Sequence, residues 1–254
     1  MEYHITNLSD TQKNALSYAN KKCKIFSKES KILLFNKINK IKPELLNSEI
    51  EQIILGLKEW IKNNTEITIN FRTLNIFNSD KYKSCFELLN TRDETYRNYR
   101  NKKENALFNN CYTNAKNNKR IKYGGLNILN EMLTQNCTKK YGENVLVLKN
   151  YMQKFATFIN GNSEYNISHL GNYKYPYSLL YNINDELLLE LINCICQKKI
   201  KYSKYSKYIE VQIHTDVVLK QDIKKIILKK LNYNKNKKLV DDFLLNTDIK
   251  LVVY

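Results

Sequence analysis

From residue 208 to 214 the chain reads YIEVQIH, polar and apolar residues alternating without a break. Successive side chains on a strand point to opposite faces, so Ile209, Val211 and Ile213 share one face and Tyr208, Glu210, Gln212 and His214 the other. The first face is core. The second sets a phenol, a carboxylate, an amide and an imidazole in a row, and such a row is expected to line a cleft or to face water. EITINFR, residues 66–72, alternates in the same way, with Ile67, Ile69 and Phe71 opposed to Thr68, Asn70 and Arg72. Two strands of this kind, one ending in arginine and one centred on glutamate, would frame one pocket.

Helical spacing governs the first sixty or so residues. Ser9 or Asp10 can cap a helix expected to run to residue 26, and a second is expected from residue 31 until Pro43 interrupts it. Ser48 with Glu51 reads as a capping box for a third, whose apolar face is Ile50, Ile53, Ile54, Leu57, Trp60 and Ile61. Farther on, Tyr123-Gly124-Gly125 reads as a short turn, where paired glycines imply positive φ or the close approach of another group. Strands are expected at 145–149 and 155–159, the second closed by a turn at Gly161-Asn162-Ser163. A helix is expected over 184–197, with Leu187, Leu188, Leu191, Ile192 and Ile195 as its buried stripe. A loop over 198–208, a helix over 217–231, a basic loop and a strand over 249–254 complete the pattern. Helices first and strands later, with helices between them, predict an α+β fold. Its parts would be a helical region, 1–64, and an α+β region, 65–254, forming one structural unit.

At 254 residues and 43% hydrophobic content the chain can build a sizeable core. Its formal charge of +17 points toward nucleic acid or an anionic surface. Yet the chain is saturated with Lys, Asn, Ile and Tyr and holds only 6 Gly and 2 Pro, the mark of AT-rich codons, so part of the lysine excess reflects base composition. Against that drift, the retained arginines Arg72, Arg92, Arg97, Arg100 and Arg120 point to work that needs a planar fork of donors, Arg72 foremost. Tyr96, Arg97, Tyr99 and Arg100 read either as a patch for stacking single-stranded bases or as the solvated face of a surface helix. The cysteines form no C-x-x-C pair and have no histidine at zinc spacing, so no metal site is expected. No apolar run reaches ~18 residues and the first residues lack a signal-peptide layout. The expectation is therefore no membrane span and a reducing, cytoplasmic setting, or export without a cleavable signal into a host cell.

Four pieces in order across residues 65–225, ITINFR, TYR followed by ENALFNNCY, IKYGGLNIL and YIEVQIHTDVVLKQDI, resemble a family of uncharacterised bacterial proteins, a domain of unknown function that is itself similar to the mono-ADP-ribosyltransferases. The resemblance implies a split mixed or antiparallel sheet and NAD as substrate. In the transferases an Arg or His on an early strand contacts NAD, a Ser or Tyr on a middle strand supports it, and a Glu on a late strand is catalytic. Arg72 matches the first role and Glu210 the third. The middle role has Ser163 and Tyr123 as candidates, because Glu143 stands after Tyr141-Gly142 where a small hydroxyl residue is expected. The transferases usually carry Gln or Glu two residues before the catalytic Glu, whereas here Tyr208 precedes Glu210 and Gln212 follows it. The implied NAD contacts are Arg72, Asn70, Tyr96, Arg97, Tyr123, Gly124, Gln212 and His214, with Tyr96 or Tyr123 stacking on nicotinamide and His214 bonding the ribose or the acceptor. The chemistry suits these residue types: a carboxylate stabilises the ribosyl cation left when nicotinamide departs, and a guanidinium fork suits the pyrophosphate. The implied function is ADP-ribosylation of a protein or other macromolecule, as by an effector or toxin. The alternative is an inactive scaffold serving as a basic binding module for nucleic acid or an anionic surface.

Overall fold

A computed structural model describes residues 8–88, 94–131, 136–161, 170–196 and 208–254, and it is α+β. The strands are β1 (Glu66–Phe71), β2 (Lys122–Asn127), β3 (Asn144–Leu148), β4 (Ala156–Asn160), β5 (Ile209–Ile213), β6 (Ile223–Leu228) and β7 (Lys250–Val253). They form one seven-stranded sheet in the order β4-β5-β2-β1-β3-β6-β7, hydrogen-bonded from edge to edge without a split. Only β6 and β7 run parallel; every other neighbouring pair is antiparallel. The helices are α1 (Asp10–Ile41), α2 (Asn47–Asn63), α3 (Cys85–Leu88), α4 (Glu94–Leu107), α5 (Tyr177–Asn182), α6 (Asp185–Ile195), α7 (Leu219–Asp222), α8 (Lys230–Lys235) and α9 (Lys237–Leu244).

Alternation in β1 and β5 sorts their side chains as the pattern predicts. Ile67, Ile69, Phe71, Ile209, Val211 and Ile213 are buried in one large cluster with Leu34 and Ile38 of α1, Ile50, Ile54, Leu57 and Ile61 of α2, and Leu187, Leu188, Leu191 and Ile192 of α6. Helices and sheet thus share a core. A smaller cluster, Ala15, Ala19 and Cys23 of α1 with Leu107, Phe108, Tyr112, Ile121, Ile159 and Leu170, covers the opposite face near β4.

Several elements differ from the sequence pattern. The two expected N-terminal helices are one helix of 32 residues. With no Gly or Pro between Asp10 and Lys42, nothing interrupts it, and its start is a true capping box in which Ser9 and Gln12 exchange hydrogen bonds. α2 starts before Ser48, at Asn47, with Leu46 as its N-cap; leucine has no side-chain acceptor, and the cap consists of Glu49, not Glu51, accepting from the Leu46 amide at 2.7 Å. Residues 123–125 are strand β2, not a turn. Gly124 has no positive φ; a Cβ there would lie 2.5 Å from the Thr68 carbonyl oxygen, so the glycine is required by close strand approach. The expected helix over 217–231 splits into the single turn α7 and strand β6. The Asp222 carboxylate ends that turn, accepting from the Val218 amide at 2.6 Å and from the Tyr151 hydroxyl. The expected basic loop after it holds α8 and α9, anchored by buried Val240 and Phe243, the latter 4.6 Å from the Phe77 ring. His4, Arg92, Asn162, Ser163 and the expected loop up to residue 207 lie outside the described residues.

Candidate functional site

Register builds the site. Gly125 of β2 pairs with Thr68 on one side and with Glu210 on the other, and Tyr123 pairs with Gln212. These residues share the polar face of the sheet with Asn70. Over that face lies α4, turned so that Arg100, Glu104 and Leu107, spaced by four and three, are its buried positions. The Arg100 guanidinium lies 4.0 Å above the Tyr123 ring centre. Glu104 accepts from the Tyr123 hydroxyl at 3.0 Å and from Arg120 Nη1 at 2.8 Å. Arg120 also stacks on Phe86 at 4.1 Å and donates to the Tyr112 carbonyl at 2.9 Å. Burial pushes the Glu104 carboxyl up, against the pull of Arg120 and the Tyr123 hydroxyl. Burial works against the Arg100 charge, but Tyr123, Tyr96, Cys85 and Glu210 more than offset it.

Above this layer opens a cleft with two lobes. The inner lobe, about 250 Å³, is walled by five tyrosines, Tyr82, Tyr96, Tyr123, Tyr141 and Tyr208, with Asn70, Lys83, Cys85, Arg100 and Thr138 between them. Its floor is the backbone of Gly124 and Gly125. The outer lobe, about 340 Å³, shares Asn70, Tyr82, Lys83 and Tyr141 and adds Arg72, Asn75 and Lys81. Tyr141 stands between the lobes with its ring 6.4 Å from that of Tyr208. Asn70 of β1 and Arg72 just after it hold the segment on either side of Tyr141: Asn70 Nδ2 donates to the Gly142 carbonyl at 2.9 Å, and Arg72 Nη2 donates to the Lys140 carbonyl at 2.7 Å. Burial raises the Tyr82 hydroxyl to about 12 and holds the Tyr123 hydroxyl well above its ordinary value, so both remain donors at neutral pH.

Of the residues singled out by sequence, the structure brings Asn70, Tyr96, Tyr123 and Gly124 together around the inner lobe. Arg72 lines the outer lobe and is exposed. Arg97, Glu210, Gln212 and His214 are not among the residues that line either lobe. Arg72 directly follows β1 while Glu210 lies within β5, and β2 stands between those two strands. Glu143 forms a surface ion pair with Lys229 at 2.8 Å.

Glu210 is 3% exposed, while Gln212 and His214 are fully buried. They belong to a chain of contacts: Gln212 Nε2 to Glu210 Oε1 at 2.8 Å, Thr157 Oγ1 to Gln212 Oε1 at 2.9 Å, Thr157 Oγ1 to His214 Nε2 at 3.1 Å, and the Tyr112 hydroxyl to His214 Nδ1 at 2.8 Å. Burial drives the His214 imidazole down to about 3, so it is neutral. Phe108 packs edge-on against its ring at 4.6 Å.

Glu104, Tyr112 and Thr157 were not marked as site residues by sequence pattern, and Arg100 and Arg120 were marked as retained arginines without a place at the site. The available signal was the scarcity of arginine: two of the five fall within this layer. Thr157 carried none, because a threonine in an apolar strand is ordinary.

A scan against protein-family models matches no family, and a search of curated proteins returns no similar sequence. Among the described residues no group of three His, Cys, Asp or Glu could hold a metal ion, and no helix is long and apolar enough to cross a membrane.

Proposed function

We propose that the two-lobed cleft binds NAD and that the protein is an NAD-dependent mono-ADP-ribosyltransferase acting on a macromolecule, with Glu210 as the catalytic carboxylate. The observation that carries this reading is the pairing of a tyrosine-walled lobe containing Arg100 with a contiguous lobe containing Arg72 and Lys81. Aromatic walls suit a flat heterocycle, and guanidinium and ammonium groups suit phosphates. Gly125 supports the placement of the chemistry. It stands directly beside Glu210 in the register and carries no side chain, so the lobe floor is open to the backbone next to the carboxylate. A carboxylate there would stabilise the ribosyl cation as nicotinamide leaves, and the freed C1 would pass to a nucleophile of the target.

One observation favours a second reading, in which the cleft binds a nucleotide without cleaving it: Glu210 lines neither lobe and already accepts a hydrogen bond from Gln212. NAD titration with intact-mass analysis of a target mixture separates the two. Saturable NAD binding is expected, weakened roughly tenfold by Tyr141→Ala, since stacking on an aromatic ring is worth about 1–3 kcal/mol. Tyr141 is 46% exposed, so this change should leave the melting temperature alone. Glu210→Gln should keep NAD affinity and lose ~10²–10³ in turnover. Wild-type binding without turnover would establish the second reading; no NAD binding would overturn both.

A further inference from the structure

The hydrogen bonds behind the cleft can be given a direction. Gln212 donates from Nε2 to Glu210 Oε1, which turns the Gln212 carbonyl toward Thr157. Thr157 must then spend its single hydroxyl proton on that carbonyl, leaving its oxygen to accept from His214 Nε2–H. With the proton on Nε2, Nδ1 is bare and takes the Tyr112 hydroxyl proton. Each step fixes the next, and every donor in the chain points toward Glu210. The chain crosses from β5 to β4 and back to His214, just past the end of β5, then ends on the segment after α4. All four supporting side chains are buried, Thr157 at 1% exposure and Tyr112, Gln212 and His214 at 0%. A hydrophobic core needs no such chain: a leucine or a valine at each of these positions would fill the space without any polar group to satisfy.

We propose that Tyr112, His214, Thr157 and Gln212 are positioning residues that hold the Glu210 carboxylate in one orientation beside the cleft floor, His214 acting as a neutral, Nε2-protonated spacer. This rests on the reading of the chain as an NAD-consuming transferase. None of the four touches the substrate; they act through Glu210 by fixing where its charge lies as the transition state forms.

The experiment uses the full chain. In wild type, long-range ¹H–¹⁵N correlation spectra are expected to show His214 as the Nε2–H tautomer from pH 5 to pH 8. Thr157→Val keeps the side-chain shape and removes the hydroxyl; it should lower kcat for NAD roughly 10- to 100-fold with KM nearly unchanged. Thr157→Ser should restore most of the rate, and Tyr112→Phe should give a smaller loss, because it removes only the far end of the chain. An Nδ1–H tautomer, or a Thr157→Val protein with wild-type kcat, overturns the positioning role while leaving the transferase reading in place. A loss in Thr157→Val that Thr157→Ser does not restore also overturns it, since packing alone would then account for the effect. A wild-type protein that consumes no NAD overturns both.

Discussion

His214 carries a cost that depends on pH. Its folded pKa of about 3 lies below the ordinary histidine value of 6.5, because burial disfavours the imidazolium. As pH falls below 6.5 the unfolded chain takes up a proton that the folded chain refuses. The stability His214 allows is thus complete above pH 6.5 and is lost progressively as pH falls toward 3. The slope this single residue adds approaches about 1.4 kcal/mol per pH unit. Denaturant unfolding at pH 7.0 and pH 5.5 checks it: wild type should lose more stability over that interval than His214→Gln, which has no imidazole to protonate. Equal losses would mean that the ring is not held neutral. The residues that could be read in advance were those whose strand parity alone decides their face, Asn70 and Glu210 among them; Tyr123, read as part of a turn, was not. What parity could not say was depth: Gln212 and His214 stand on the same face as Tyr123, yet α4 and the segment carrying Phe108 and Tyr112 close over them.

Among the elements, β2 places the tightest demands on its residues. Gly124 faces the apolar side with the Thr68 carbonyl 2.5 Å from where a Cβ would stand, and a backbone oxygen cannot swing away as a side chain can. Gly125 faces the cleft side, and its Cβ would meet Thr138 and Thr68 side chains at an ordinary 3.5 Å. Gly124→Ala should therefore pry β1 from β2 and cost about 3 kcal/mol or more, while Gly125→Ala should fold normally and weaken NAD binding by filling the floor beside Glu210. Melting curves and NAD titrations of the two variants should show these opposite patterns. Alternation announced β1 and β5, and helical spacing announced α2 and α6, though the cap read for α2 was not the one it uses. The stretch from Val217 to Leu228 misled because its apolar residues recur at helical spacing as well as in a strand run. A local pattern carries no notice that β3 and β7 wait on either side to pair with β6, and that pairing decides the outcome. The glycine pair likewise gave two alternatives, and only the partner strand selects between positive φ and close approach.

For the whole molecule, charge and core lead in different directions. Lysines pair with acids far apart on the structure: Lys37 with Asp185, Lys149 with Asp248, Lys224 with Glu66, and Lys81, Lys119 and Lys122 with Asp216. Among the described residues these paired lysines sit on different elements, α1, the segment after β3, β6 and the start of β2 among them. Binding to DNA or RNA is expected to be weak at physiological salt and to fall steeply as salt rises, as a filter-binding series from low to high salt would read. Tight, selective binding at physiological salt would support the binding-module reading in its nucleic-acid form. The core, by contrast, is drawn inward by one long piece. α1 contributes Ala15, Ala19 and Cys23 to the cluster on the cleft side and Leu34 and Ile38 to the cluster on the other, while Lys24, Ile25, Phe26, Lys28 and Glu29 between them are exposed. At 1.5 Å per residue the centres of the two anchorages are about 25 Å apart along the axis. With Leu16 in the same cluster as Leu34 and Ile38, the first half of α1 touches both clusters, so one helix ties the packing on the two faces of the sheet into a single body.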